Sequence, residues 1–267
     1  MFPIRMKTNE LKRALKAAVT AAEATGKLMR LHRRRTKKVN EALHHDIKLE
    51  LDVRSQKLIT RTLAKAFPKI PVLGEEGIDA KVEAAPARWV VDPIDGTVNY
   101  AYGIPHACVS IALQVRQPDG TFRTDVGVVH DPFVNDLWTA IRGTRTKLNG
   151  KPIAVSKRKK LEEAIVSLGF AKNDESLDAT IAHFAAFTRR VRKLRIMGSA
   201  ALAFAYVADG RFDAYLERGV RLWDVAAGAL LVECAGGEPG CTELPGEHRV
   251  RVHCHNGRLA SSLAEMQ

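Results

Sequence analysis

The spacing of apolar residues divides the chain into a helical start, a run of strands and an alternating end. Leu11, Leu15, Ala18, Val19, Ala22 and Leu28 recur at helical spacing and predict a long amphipathic helix over residues 8–34. Leu51, Leu58, Ile59 and Leu63 mark a second helix over 50–67, ended by Pro68 and Pro71. Val72-Leu73-Gly74-Glu75-Glu76-Gly77 reads as a short strand entering an acidic turn, followed by a polar, Ala-rich connector at 80–87. The apolar runs at 107–115, 124–130 and 136–142 are separated by Pro, Asp and Gly, the pattern of an antiparallel meander. Beyond a basic stretch at 156–160 the pattern alternates. A strand is expected over 164–169, helices over 176–191 and 198–209, a strand over 212–216, and a helix over 222–235 ending at Gly236-Gly237. No segment repeats.

One strand differs from the others. Trp89-Val90-Val91 is apolar, and Asp92-Pro93-Ile94-Asp95-Gly96-Thr97 follows at once. Pro93 cannot donate a ladder hydrogen bond, so the strand is expected to stop there. Asp95-Gly96 is a turn signal. Asp92 and Asp95 then stand at the end of a sheet, where ligands of such folds collect. Paired carboxylates at a strand end suit a hard cation such as Mg²⁺. Taken alone, Asp-Pro and Asp-Gly are also ordinary solvated turn dipeptides. Further acids fall at element ends: Asp52 near a helix start, Glu75 at a strand end, and Asp224 where Trp223-Asp224 opens an Ala/Gly-rich helix whose N-terminal dipole tolerates an anion. Together they describe a multi-carboxylate cation site.

Composition narrows the class. The 267 residues, 46% hydrophobic and 27% charged, suffice for a large core. No apolar run reaches the roughly 18–20 residues of a membrane span, and the N-terminus lacks a signal peptide's apolar stretch. Four scattered cysteines without a CxxC pair fit reduced thiols, so a cytoplasmic location is expected. His253-Cys254-His255 alternates across a strand and lacks a partner pair at zinc-ligand spacing. The net charge of +12 is concentrated: residues 1–40 hold 12 Lys/Arg against Glu10 and Glu23. Such a segment is either a solvated helix face or a patch for nucleic acid or another anionic partner. Its lack of aromatic residues between Arg30 and Lys38 disfavours base stacking.

The ordered set Gly74-Glu75-Glu76, Asp92-Pro93-Ile94-Asp95-Gly96-Thr97 and Trp223-Asp224-Val225-Ala226-Ala227-Gly228, with Asp52 upstream, resembles the signatures of the inositol monophosphatase family. The resemblance runs from the N-terminal helix to Gly236-Gly237. It implies an α/β (α+β) fold, a layered αβαβα sandwich, with residues 1–155 as an α+β half, 156–267 as an α/β half and the site between them. It implies Mg²⁺-dependent, lithium-sensitive hydrolysis of a small phosphate monoester by a metal-activated water, in a homodimer without membrane attachment.

The same resemblance assigns roles. Glu75, Asp92 and the Ile94 carbonyl resemble ligands of a first metal, and Asp92, Asp95 and Asp224 those of a second; a third, weaker Mg²⁺ falls near Glu75. Thr97 beside Asp52 resembles the pair that orients the attacking water. Backbone N–H groups of Gly96 and Thr97 are expected to cradle phosphate. Gly198, Ser199 and Ala200, in Arg195-Ile196-Met197-Gly198-Ser199-Ala200-Ala201, resemble the substrate-side loop, and Glu217 the acid that accepts a ring hydroxyl. Departures lie away from the metal ligands. No Thr precedes Asp52 in 46–52, Lys37 and Lys38 stand upstream of the family's loop lysine position near Glu41, and His106 and Phe170 replace common residues. The expected substrate is inositol monophosphate, with fructose 1,6-bisphosphate, histidinol phosphate and 3′-phosphoadenosine 5′-phosphate as alternatives. A reading of another class is an RNA- or protein-binding regulator acting through the basic N-terminal segment.

Overall fold

The computed structural model describes residues 6–34, 39–43, 46–170, 181 and 184–264. The first helix, α1 (Thr8–His32), turns a stripe of small residues inward: Ala14, Ala17, Ala18, Ala21, Ala22, Thr25 and Gly26. This stripe lets α1 lie close to its neighbours. A methyl group on Gly26 would stand 2.7 Å from the His130 ring. A ribbon of β1 (Val39–Leu43) and β2 (Asp46–Leu49) follows, then α2 (Glu50–Ala66). The ribbon carries no alternation in sequence, and no strand is expected there.

The large sheet has eight strands in the order β10-β9-β8-β7-β6-β5-β3-β4. They are β3 (Val72–Gly74), β4 (Gly77–Ile78), β5 (Ala87–Asp95), β6 (Cys108–Arg116), β7 (Phe122–Asp131), β8 (Asp136–Ile141), β9 (Lys147–Leu148) and β10 (Lys151–Pro152). The β5-β6-β7-β8 meander is antiparallel, as its spacing predicts. Its strands are apolar nearly throughout because both faces are covered. Trp89, Val91, Ile111, Leu113 and Val128 pack toward α1 and α2. Val90, Ala112, Val129 and Trp138 pack toward the opposite layer.

That opposite layer is helical. After α3 (Thr97–Ala101) and α4, described over residues 184–188, come α5 (Ala200–Ala208) and α6 (Leu222–Cys234). The expected helix over 176–191 otherwise falls partly outside the described residues. Both α5 and α6 are apolar around their circumference, as helices between two sheets must be. Glycine sets their spacing: a methyl group on Gly228 would meet Phe204 of α5.

The second sheet has the order β12-β11-β13-β15-β14. It contains β11 (Ile165–Leu168), β12 (Lys193–Arg195), β13 (Ala214–Arg221), β14 (Cys241–Glu243) and β15 (Arg249–His255). Its outer face packs Leu168, Phe187, Leu216, Leu259 and Leu263 with α4 and α7 (Ala260–Ala264). The layers are therefore α, β, α, β, α, the sandwich expected from sequence. Among the described residues no helix is long and apolar enough to cross a membrane.

Two expectations are corrected. Strand β5 does not stop at Pro93. It continues to Asp95 through an irregularity between Asp92, paired with Ser110, and Asp95, paired with Cys108. A bulge needs no donor from the extra residue, so Pro93 is accommodated. The strand expected over 212–216 begins at Ala214 and runs on to Arg221, because pairing with β15 extends it through Glu217 and Arg218.

Candidate active site

Five acids converge where the large sheet meets the middle helices, and a separate local device places each. Asp92 closes an Asx turn: its Oδ1 accepts from Ile94 N at 2.9 Å. Asp52 and Asp224 are both the third residue of a helix. Asp52 Oδ2 accepts from Leu49 N, and Asp224 Oδ2 from Arg221 N, each at 2.8 Å. A carboxylate there satisfies an orphan N–H and opposes the positive helix end. Glu75 stands in the β3–β4 turn, its N–H donating to Val91 O at 3.3 Å. Asp95 ends β5 against the start of α5. Its carboxylate accepts from Ala201 N at 2.8 Å, from Ala200 N at 3.4 Å and from the Ser199 hydroxyl.

The structure brings carboxylate oxygens of Asp92, Asp95 and Asp224 within 4.8 Å of one another. Asp92 and Asp95 are 2% and 7% exposed. Burial, then the charges of Glu75, Asp95, Asp224 and Asp52, hold the Asp92 carboxyl well above the usual range. Burial also raises Asp95, against the hydrogen bonds from Ser199, Ala201, Ala200 and Cys108. Like charges gathered out of water are costly unless a cation joins them. An all-oxygen donor set of this kind fits a hard divalent ion.

The Thr97 hydroxyl donates to Ile94 O at 2.8 Å, so these two expected site atoms are in contact. Gly96 has φ +92°, and a Cβ there would approach His106 O at 2.9 Å, so two separate constraints require glycine. Gly198, also at positive φ, lies across from it. Ser199 is 5% exposed, and its hydroxyl also accepts from Leu202 N at 3.3 Å as the cap of α5. Ala200 is buried and Glu217 half-buried. Lys37 and Lys38 lie outside the described residues.

Several supporting residues carry no sequence signal. Gln56 of α2 accepts from Glu76 N at 2.9 Å and donates to Gly77 O at 3.0 Å, bracing the Glu75 turn. Asn99 Nδ2 donates to His106 O at 2.9 Å and Met197 O at 2.7 Å, tying the loop after β5 to the loop before α5. The Ser110 hydroxyl donates to Trp223 O at 3.1 Å and so ties the start of α6 to β6. Cys108 lies 3.7 Å from Asp95 Oδ2, and burial followed by the Asp95 charge keeps its thiol protonated.

Fold and site define an αβαβα protein with a largely buried carboxylate cluster whose oxygens fit a divalent cation. Residues 10–265 match the model of the inositol monophosphatase family, and the chain belongs to that family. It is 40% identical over 230 residues to the Nus factor SuhB of Pseudomonas aeruginosa, covering 84% of this chain and 83% of that protein. It is 38% identical over 224 residues to an inositol-1-monophosphatase of Rhizobium meliloti, covering 81% of each. The solved inositol monophosphatase of Anabaena superposes with a TM-score of 0.82 at 32% identity, covering 97% of this chain and 96% of that one. Membership of this family supports phosphatase activity.

Proposed function

We propose that the protein hydrolyses a small phosphate monoester with Mg²⁺, and that inositol monophosphate is its preferred substrate. The convergence of Asp92, Asp95 and Asp224 within 4.8 Å, under the charges of Glu75 and Asp52, carries this reading. Two to three Mg²⁺ ions, when bound, supply positive charge to phosphate oxygens and lower the pKa of a water. Glu75, Asp92 and the Ile94 carbonyl would hold one ion, Asp92, Asp95 and Asp224 would hold a second, and Glu75 would serve a third. The Thr97 hydroxyl and Asp52 orient the attacking water. The N–H groups of Gly96 and Thr97 receive the phosphate. Gly198, Ser199, Ala200 and Glu217 form the side that meets the alcohol portion of the substrate, between halves made of residues 1–155 and 156–267. The working form in this reading is a cytoplasmic homodimer, which light scattering checks as twice the 29.4 kDa chain.

The test is phosphate release with Mg²⁺ from inositol 1-phosphate, fructose 1,6-bisphosphate, histidinol phosphate and 3′-phosphoadenosine 5′-phosphate. Inositol 1-phosphate is expected to turn over fastest, to require Mg²⁺ and to be inhibited by millimolar Li⁺. No release from any of them overturns the reading.

A second reading has its own support. Relatives bear the name Nus factor SuhB, and most of the net charge lies in residues 1–40. A regulator binding RNA or a protein through that segment fits both observations. RNA binding would weaken steeply with salt. Absence of binding to RNA at low salt removes the RNA form of this reading.

A further inference from the structure

The acid expected to meet the substrate is held from two sides by residues outside every signature. Glu217 follows Tyr215 by two positions on β13, so their side chains emerge on the same face of the sheet. The Tyr215 phenol donates to Glu217 Oε2. Tyr215 is 2% exposed, and its ring packs edge-on against Phe204 of α5 at 5.6 Å between centroids. The phenol is thereby restricted to a narrow range of positions.

Gly169, just past β11, closes the other side. Its N–H donates to Leu216 O at 3.0 Å. A Cβ at this position would overlap the Glu217 carboxylate. Gly169 is not in the left-handed region, so the requirement for glycine is space for Glu217 and not backbone conformation. Burial, then Glu217, with Asp95 and Asp224 further down, pushes the Tyr215 phenol well above its usual pKa. It therefore remains a donor at neutral pH. The same charges put Tyr215 within electrostatic reach of the metal-side acids.

We infer that Tyr215 and Gly169 are positioning residues that fix the Glu217 carboxylate as an acceptor for a substrate hydroxyl, selecting polyol phosphates over phosphate esters that lack hydroxyls. This deepens the phosphatase reading above and rests on it. An ionised carboxylate only accepts hydrogen bonds. With Tyr215 anchoring Oε2, the group is pre-oriented before a polyol arrives. A site arranged to pair with a hydroxyl discriminates against analogues that lack one.

The experiment measures kcat and KM for inositol 1-phosphate and p-nitrophenyl phosphate with wild type, Tyr215→Phe and Gly169→Ala. Tyr215→Phe keeps the ring packing and removes only the donor. It should raise KM for inositol 1-phosphate about tenfold, the scale of a lost hydrogen bond to a charged group. The p-nitrophenyl phosphate constants should stay within about twofold, well inside that scale. Gly169→Ala should displace Glu217 outright and narrow the preference for the polyol further. An unchanged ratio between the two substrates in an active enzyme overturns the inference alone. Equal losses on both substrates also overturn it, because they indicate a merely structural role. A wild type inactive on both esters overturns the phosphatase reading and the inference with it. Should Gly169→Ala fail to fold, Tyr215→Phe decides by itself.

Discussion

The metal side and the substrate side of the site are built differently. On the metal side, Asp52, Asp92 and Asp224 each accept from a backbone N–H two or three residues away. On the substrate side, Glu217 depends on Gly169, just past the neighbouring strand β11, and on the buried Tyr215, and Ser199 reaches across to Asp95. Local devices repeat wherever their short sequences occur, so they survive change elsewhere in the chain. On the metal side only Asp95, held by the start of α5, and the Glu75 turn, braced by Gln56, depend on tertiary contacts, so the substrate side can drift while the locally held acids stay fixed. A phosphate-handling centre can thus be retained while the alcohol side is altered.

The largest effect should come from breaking the metal side at its most connected member. Asp95→Asn keeps an oxygen for Ala201 N and removes one negative charge from the cluster. Phosphate release should fall by more than the roughly 10–100-fold that loss of a mere supporting partner costs. Without metal the variant should melt at least as high as wild type, because burial penalises the Asp95 charge and its carboxylate lies within 4.8 Å of those of Asp92 and Asp224. Calorimetry should show weakened Mg²⁺ binding. An active variant with normal Mg²⁺ affinity would remove Asp95 from the ligand set.

A smaller effect should follow from loosening a metal-side support that tertiary contact supplies. Gln56→Ala removes both side-chain bonds to the Glu75 turn and fills none of the space Gln56 occupies beside Gly74. Activity should drop about tenfold through a raised Mg²⁺ requirement, the range for a supporting partner. A change in KM for substrate at saturating Mg²⁺ would show instead that Gln56 serves the substrate side.

The same contrast explains how much was legible in the sequence. The meander, the long helices and the order of acid-bearing turns follow from periodicity and local turn chemistry, and the layered sandwich follows from the family resemblance. The signatures also bring Asp92, Asp95 and Asp224 to attention, and the structure gathers them. What local rules miss is tertiary. Pro93 looks like a strand end, yet a bulge in β5 itself, between Asp92 and Asp95, carries the strand past it along β6. Gln56 and Asn99 act on residues of other elements, and Tyr215 is held by packing on Phe204 of α5, contacts that no local pattern marks. Gly74 and Gly169 were the available clues, since each leaves room for a side chain from elsewhere.

The smallest effect sharpens the comparison along one helix. Both ends of α5 meet a carboxylate: Asp95 at the N-terminus accepts its N–H groups, whereas Asp209 caps the C-terminus, where the dipole is negative. Asp209 accepts from Trp138 Nε1 at 3.1 Å and pairs with Arg211 at 3.3 Å, yet burial dominates and raises its pKa from 3.8 to about 6. Its folded-state pKa therefore lies above the unfolded one. The stability it contributes is full below about pH 4 and is lost as pH rises through about 6, because the native state holds the extra proton in that window. At roughly 1.36 kcal/mol per pH unit the loss is at most about 3 kcal/mol, the attraction of Arg211 being already contained in that shift. Asp209→Asn removes this titration. Urea unfolding at intervals from pH 4 to 7 should show wild-type stability falling relative to the variant across that range and running parallel above it. Parallel curves throughout would mean that the Arg211 and Trp138 contacts already compensate the charge at this end of α5.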